Sequence, residues 1–341
     1  MTKIYDFKDS INEKEVEEIG KLISDGNLVI FPTETVYGIG TNALFSDSIE
    51  NIFISKGRAN DNPLIVHVSD VNMIKELVLE ISSLEQELIN NFMPGPFTLI
   101  LPKKDIIPNN VTANLDTVGI RVPENEIARR IIKAANVPVA APSANISSKP
   151  SGTMVDDILN EFDNKVAAIV DGGQTDIGVE STVVKVIDDI PTILRPGKIT
   201  REDIINEIGI CEYSKNINVV GSEKVESPGM KYKHYAPNTK CILLYSEDEN
   251  KLIDGVNDSL IDSTVVIGPS EYEDIINVKY YLKYGSKDNL EEISHNIFSL
   301  IRKADTLNAD LIIICGVKNE GLGVAIMNRL IRSANFNYIF V

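Results

Sequence analysis

One stretch, residues 28–68, constrains the fold of this chain more than any other. It reads as an apolar strand, a hydroxyl-rich loop, a short helix, a Lys-Gly-Arg triplet and a second apolar strand, which is typical of an α/β unit. If the loop is extended, Thr33, Thr35 and Tyr37 share one face, because alternate side chains of an extended chain point the same way. Hydroxyls close to fixed cations suit an anionic, oxygen-rich ligand such as a nucleotide phosphate or an amino-acid carboxylate.

The triplet at residues 56–58 has two interpretations. A lysine in the last helical turn followed by glycine is an ordinary helix stop, and this explains Lys56 as well as a ligand does. Arg58 and Asn62 lie beyond the stop, so helix termination accounts for them less well. His67 lies in the second apolar strand, where a lone histidine is more typical of a satisfied structural residue.

Composition limits the classes of protein to which the chain can belong. A chain of 341 residues suggests about two domains. No apolar run approaches the roughly 18 residues of a membrane helix, and the first residues show no secretion signal. The three cysteines lie far apart without a CxxC pair, which argues against zinc or a disulfide framework. These features predict a cytoplasmic protein that makes no membrane contact.

The net charge of −17 bears on the choice of ligand. Nucleic-acid binding gains affinity when lysines and arginines match phosphates, and an acidic surface opposes this. Nucleic acid is therefore a poor prediction for the main ligand.

Later segments add further candidate ligand residues. Arg121 lies between apolar neighbours in a predicted strand, so it must be paired either with an acidic ligand or in an internal salt bridge. Ser143 and Asn145 lie in a loop after a predicted strand, a common position for ligand-binding residues, although these residue types also simply favour turns. Residues 227–237 combine prolines, lysines and aromatic rings, which predicts a semi-rigid strap able to cover a nucleotide.

Several motifs occur together in the order and spacing of a known family: PTETVYG, KGR, NPLIVHV, PGPFTLIL, SAN, DGG, GVESTVV, ILRPG and SPGMKYKHYAP. The chain resembles the YrdC-like family in its long, two-domain form, the L-threonylcarbamoyladenylate synthases. The resemblance implies an α/β fold with a twisted mixed-sheet catalytic domain over residues 1–209. It also implies a strap over 210–238 and a small Rossmann-like parallel α/β accessory domain over 239–341.

The resemblance also implies an activity. Similar proteins make L-threonylcarbamoyl-AMP from L-threonine, bicarbonate or carbon dioxide, and ATP, and they release pyrophosphate. This is the first step towards N6-threonylcarbamoyladenosine in tRNAs that read ANN codons. Downstream tRNA threonylcarbamoyl-transferase proteins are the implied partners, with direct tRNA binding weak or absent. Mg²⁺ is the implied cofactor, held by the ATP phosphates without a dedicated protein site.

Site residues follow from the resemblance position by position. The implied catalytic residues are Lys56 and Arg58. The implied L-threonine-binding residues are Thr35, His67, Arg121 and Ser181. The implied ATP-binding residues are Arg58, Asn62, Thr117, Ala141, Ser143, Asn145, Ser151, Arg195, and His234 or Tyr235 from the strap.

Two other classes of protein remain as alternatives. One is an RNA-binding module of the same fold that makes no adenylate, against which the net charge counts. The other is a carbamoyltransferase of the hydrogenase-maturation kind, which would need an acylphosphatase domain and cysteine-rich fingers that this sequence lacks.

Overall fold

The structure is a computed structural model of the chain, and it describes residues 1–215, 217 and 234–341. The described chain divides into two compact units. Unit 1 comprises residues 1–147, 152–176 and the described residues from 180 to 217. Unit 2 comprises residues 148–151, 177–179 and 234–341. Most of the predicted strap, including its SPGMKYK segment, lies outside the described residues.

Unit 1 is built on one mixed sheet, which confirms the predicted fold class for this part of the chain. Its strands lie in the order β1-β8-β2-β3-β7-β4-β6-β5-β9-β10-β11. They are β1 Lys3–Asp6, β2 Val29–Phe31, β3 Gly38–Asn42, β4 Ile65–His67, β5 Phe97–Pro102, β6 Thr117–Arg121, β7 Val139–Ala140, β8 Ala168–Asp171, β9 Thr182–Ile187, β10 Ile190–Arg195 and β11 Glu212–Tyr213. The helices are α1 Glu13–Ser24, α2 Ser46–Lys56, α3 Val71–Leu77, α4 Ser83–Phe92, α5 Glu126–Ala135, α6 Val155–Phe162 and α7 Arg201–Ile208.

The two faces of this sheet have different partners. One face packs on the main core of the unit, which takes Val66 from β4 and Val118 and Ile120 from β6. The other face is covered by α1 and α5 over the half that contains β8, β2 and β7. Over β4, β5 and β9 this second face carries only a small apolar cluster, Ile65, Ile100 and Val183. This half of the second face carries the predicted site residues His67, Thr117 and Arg121.

Two local predictions need correction. Residues 34–36 form bends in a tight connection between β2 and β3, so the PTETVYG loop is not extended. The loop bends because β2 and β3 pair antiparallel, and the chain must reverse direction between them. Within the segment predicted to be a strap, Glu212–Tyr213 pairs with β10 as the last strand of the sheet.

Unit 2 contains a second sheet, in which all the paired strands run parallel in the order β14-β13-β15-β12-β16. Its strands are β12 Lys240–Tyr245, β13 Thr264–Gly268, β14 Tyr280–Lys283, β15 Leu311–Cys315 and β16 Tyr338–Phe340. Its helices are α8 Glu249–Asp258, α9 Leu290–Thr306 and α10 Leu322–Ser333, with a 3₁₀ turn at Ser270–Tyr272. The predicted small parallel α/β domain is confirmed.

No helix in the described ranges combines the length and apolar character needed to cross a membrane. The three cysteines are free and buried.

The contact between α1 and α5 depends on a glycine. A Cβ built on Gly20 would lie 2.7 Å from the backbone of Ala134 and Ala135. We expect Gly20→Ala to lower the free energy of unfolding by about 1–3 kcal/mol, the usual cost of overpacking. The sign of this stability change separates overpacking from helix propensity, because alanine by itself would stabilise a helix by about 1 kcal/mol relative to glycine. Urea unfolding followed by circular dichroism measures the change.

The matched control is Glu17→Ala, an exposed position on the same helix, which should change stability by less than about 0.5 kcal/mol. A Gly20→Ala variant as stable as the wild type would show that the two helices can separate at no cost.

Candidate active site

The strand register brings several predicted residues to one edge of the sheet. β4 and β6 run parallel with His67 beside Arg121. β5 is antiparallel to β6, and its register places Thr98 opposite Arg121. β9 runs parallel to β5 and begins immediately after Ser181, and β10 returns to the same end with Arg195. Two arginines, a histidine and two hydroxyls therefore meet at this edge.

Arg121 is held by the loop between β2 and β3. Its guanidinium is 4% exposed and donates from Nη1 to Thr35 Oγ1 at 3.0 Å and from Nε to the Gly95 carbonyl at 3.3 Å. Its Nη2 lies 2.6 Å from Glu34 Oε1, at an angle outside hydrogen-bond geometry. Of the two pairings that the sequence left open for Arg121, the internal salt bridge is therefore present.

Glu34 is the residue that sequence reasoning missed at this point. Burial favours the neutral carboxyl, but the positive charge of Arg121, 2.6 Å away, outweighs it and holds the pKa of Glu34 below its ordinary value. The glutamate is therefore ionised and compensates the buried arginine. The signal was available, because an inward arginine needs an acid and Glu34 lies in the same motif as Thr35.

The hydroxyls of the β2–β3 loop do not share a face as predicted. Thr33 and Thr35 do meet, with 2.8 Å between their oxygens, and Thr33 also donates to the Val36 carbonyl. Because of the bend, Tyr37 points away from the two threonines, and its hydroxyl donates to the Gly173 carbonyl at 2.6 Å. Tyr37 thus anchors a neighbouring loop, and the two threonines support Arg121.

A second arginine is organised by Ser181. Arg195 donates from Nε and Nη2 to the Ser181 carbonyl and from Nη2 to its hydroxyl, at 3.0–3.1 Å. The same hydroxyl lies 2.8 Å from the hydroxyl of Thr98. The predicted threonine-site residue Ser181 and the predicted ATP residue Arg195 are therefore direct neighbours, and Thr98 joins them as a residue that the sequence did not single out.

His67 lies beside Arg121, on the side away from Ser181 and Arg195, and is buried, with 4% exposure. Burial, followed by the charge of Arg121, lowers the pKa of His67 to about 3, so the imidazole is neutral at physiological pH. Its Nδ1 has no hydrogen-bond partner within the described ranges. A neutral ring with an available nitrogen can bind a ligand without adding a third positive charge.

The stretch of β6 from Thr117 to Arg121 forms the floor of the site. This floor is low because Gly119, in its middle, has no side chain. Thr117, Gly119 and Arg121 share a face by strand alternation, with the apolar side chains Ile65 and Ile100 on either side of Gly119. A Cβ on Gly119 would lie 3.2 Å from the side chains of Ile100 and Thr98. From Thr117 to Arg121 this floor extends about 13 Å, at roughly 3.3 Å per residue.

Several predicted ATP residues lie at the opposite end of this floor. Thr117 begins β6, and Asn62, which is 2% exposed, precedes β4. The Ala141 amide donates to the Ile65 carbonyl at 3.0 Å, so Ala141 lies at the start of β4. Arg58 reaches the same region by donating to the carbonyls of Asn62 and Pro63 at 3.3 and 3.1 Å. The predicted ATP set is thus divided, with Arg195 at the other end.

Lys56 is almost fully buried, with 1% exposure. Its Nζ donates to the backbone carbonyls of Ser143 and Asn145, while Ser143 Oγ donates to Asn145 Oδ1 at 2.6 Å. Gly57 ends α2 in the left-handed conformation. The lysine therefore secures the loop that carries two predicted ATP residues, and its predicted position near the phosphates stays a prediction.

Three predicted ATP residues belong to unit 2. Ser151 is fully buried. Tyr235 stacks on Phe298 with 5.1 Å between ring centroids, and the Arg329 guanidinium lies 5.7 Å from its ring. The His234 ring lies 5.6 Å from that of Tyr235.

Within the described residues, no group of three or more histidine, cysteine or acidic side chains could hold a metal ion.

Comparison with known proteins gives a class for this fold and site. The profile of the Sua5–YciO–YrdC family, described as "Telomere recombination", matches residues 21–197. A second profile, "Threonylcarbamoyl-AMP synthase, C-terminal domain", matches residues 199–335. The chain is an α/β protein that belongs to the Sua5–YciO–YrdC family.

Individual relatives narrow this further to the two-domain members of the family. The Threonylcarbamoyl-AMP synthase of Pyrococcus abyssi is 38% identical over the full length of both chains. That of Bacillus subtilis is 39% identical over 95% of this chain and 94% of its own. A crystal structure of P. abyssi Sua5 complexed with L-threonine covers all of both chains with a TM-score of 0.94 and 38% identity.

The depth of the floor can be tested at Gly119. We expect Gly119→Ala to weaken turnover and Gly119→Val to lower kcat/KM at least tenfold, because each added methyl raises the floor where a substrate would lie. Both variants should keep the wild-type circular dichroism spectrum, since the atoms they approach are side-chain ends. Equal activity in all three proteins would mean that substrate does not lie over β6.

The buried imidazole predicts a pH dependence of stability. Because the folded-state pKa of His67 is lowered, to about 3, the unfolded chain takes up a proton below about pH 6.5 that the folded chain refuses. The free energy of unfolding should therefore fall as pH drops below about 6.5, by about 2 kcal/mol from this residue at pH 5. Urea unfolding at pH 5 and at neutral pH measures this change. In His67→Gln the fall in the free energy of unfolding between the two should be smaller by about this amount.

Identical pH dependence in His67→Gln and the wild type would contradict a neutral buried imidazole.

Proposed function

We propose that this chain is a threonylcarbamoyl-AMP synthase, which joins L-threonine, bicarbonate or carbon dioxide, and ATP and releases pyrophosphate. The observation that carries this proposal is the match over the whole chain to relatives of that name, one of which is solved with L-threonine.

The chemistry requires positioning more than an activated side chain. The amine of threonine adds to carbon dioxide to give a carbamate, and a carbamate oxygen attacks the α-phosphorus of ATP while pyrophosphate leaves. A site that orients both substrates and neutralises phosphate charge accelerates such a transfer. The two arginines and the neutral histidine at the sheet edge suit this task.

Threonine occupies the Arg121 end of the floor in this proposal. Its carboxylate binds Arg121, which Thr35 and Glu34 hold in place, and His67 and Ser181 bind its other polar groups. Glu34 already compensates the charge of Arg121, so the site attracts the zwitterionic amino acid without holding a large excess of positive charge.

ATP occupies the rest of the floor, with its adenosine towards Thr117, Asn62, Ala141, Ser143 and Asn145. Its phosphates extend towards Arg195, and Arg58 and Lys56 act on the phosphates in this proposal. The assignment of Ser151, and of His234 or Tyr235, to ATP stays a prediction. An extended floor of about 13 Å is long enough for the triphosphate to bridge the two groups.

Mg²⁺ accompanies ATP in this proposal, since phosphate oxygens are ligands that this ion prefers. Glu34, an acidic side chain at the described sheet edge, is engaged by Arg121, which fits an ion bound through the phosphates rather than by this carboxylate.

In this proposal the product passes to a second protein, which transfers the threonylcarbamoyl group to tRNA. The synthase itself works in the cytoplasm. The alternative of an RNA-binding module without adenylate synthesis is not favoured, because the full-length relatives are synthases. A gel-shift assay at physiological salt separates the two, since tight RNA binding without ATP turnover would support the module.

Pyrophosphate release measures the proposed reaction directly. We expect release that depends on L-threonine and bicarbonate, and that falls to background when either is left out. Release that continues without threonine would identify the protein as an ATP hydrolase and would overturn the proposal.

Within the same assay, Arg58→Ala should lower kcat/KM for ATP at least 100-fold. The matched control is Arg130→Ala, an arginine of α5 that pairs with Glu13 and Glu126, which should stay within about twofold of the wild type because its removal breaks only exposed ion pairs. Equal losses in both variants would place Arg58 outside the nucleotide site.

A further inference from the structure

Unit 2 contains a cavity of about 340 Å³ at the carboxyl edge of its sheet. Tyr245 ends β12, Pro269 follows β13 and Gly316 follows β15, and all three residues line the cavity. Its volume falls within the range of small-molecule sites. The cavity lies wholly among residues 245–318, and no residue of the proposed synthase site lines it.

The topology of the sheet explains why a crevice forms there. From β13 the chain continues outward to β14, whereas from β15 it continues through α10 to β16 on the other side. Neighbouring parallel strands whose connections leave in opposite directions leave a gap at their carboxyl ends, where α/β proteins characteristically bind ligands.

Two buried tyrosines offer hydroxyls to this cavity. Tyr284 is 1% exposed and Tyr272 is 4% exposed, and both line the cavity. Neither hydroxyl hydrogen-bonds to any residue that the structure describes, whereas the nearby Tyr281 hydroxyl donates to the Pro269 carbonyl at 2.8 Å. Burial raises the pKa of Tyr272 to about 12, so its proton is retained at neutral pH. The two hydroxyls are open to the cavity, so a bound molecule can hydrogen-bond to them.

The charges around the cavity select the sign of a ligand. Glu247 and Asp288 line it and form no ion pair within the described chain. Both lining lysines are already neutralised by a glutamate, in the pairs Lys287–Glu249 and Lys318–Glu320. The two unpaired carboxylates therefore leave the cavity with a negative potential.

The N-terminus of the adjoining helix α8 also offers no binding position for an anionic group. The Asp248 side chain accepts hydrogen bonds from the Asn250 and Lys251 amides and so caps the start of α8. A carboxylate already occupies the position where a phosphate would otherwise bind a helix N-terminus.

From this arrangement we infer that unit 2 binds a small organic ammonium compound at the carboxyl edge of its sheet. The ammonium group lies between Glu247 and Asp288, and the Tyr272 and Tyr284 hydroxyls accept hydrogen bonds from the ligand. This function is additional to adenylate synthesis and does not depend on it.

A pair of probes that differ only in charge tests the inference on the full chain. Tyramine carries an ammonium group, and 4-hydroxyphenylacetate carries a carboxylate on a similar ring. Isothermal titration, with L-threonine and ATP present to fill the synthase site, should show tyramine binding at least tenfold tighter than the acid. No tyramine binding, or equal binding of both probes, overturns the inference.

Variants locate the binding. Glu247→Gln combined with Asp288→Asn should weaken tyramine at least fivefold, and Tyr284→Phe should weaken it at least twofold. Asp262→Asn, which neutralises an exposed carboxylate away from the cavity, is the control and should bind as the wild type does. Binding unchanged in the double variant would place tyramine elsewhere and overturn the inference. Pyrophosphate release should be the same in all of these proteins.

Discussion

A buried arginine cannot remain without a counter-charge, and the organisation of unit 1 around Arg121 follows from this. Its guanidinium is surrounded by Glu34, Thr35 and the Gly95 carbonyl, so the β2–β3 loop must bend back over the sheet to meet β6. Removing one partner of a buried ion pair costs about 3–5 kcal/mol, which makes the bend a condition of stability as well as of the site. The same contact fixes the position at which a carboxylate can approach the guanidinium.

The sequence predicted the fold class and most of the residues at the sheet edge, because periodicity and motif spacing are local properties. β4 and β6 are largely apolar runs that each end in a polar residue, and these two residues, His67 and Arg121, lie side by side. The small parallel domain could likewise be predicted from its alternating strands and helices.

Other features could not be predicted because they depend on contacts between distant residues. The depth of the floor at Gly119 depends on Ile100 and Thr98, which only strand register brings close. Lys56 fits a helix stop equally well whether or not it bonds to a loop more than 80 residues away in sequence. Sequence spacing alone gives no distance for any of these contacts.

The packing around Gly119 also limits how this site can change over evolutionary time. Because a methyl group there would lie 3.2 Å from the side chains of both Ile100 and Thr98, a lineage gains a side chain at this position more easily when a neighbouring one is shortened. We therefore expect these three positions to covary across related proteins. Substitutions at Gly119 in β6 are thus coupled, in their mutational history, to substitutions in the neighbouring strand β5.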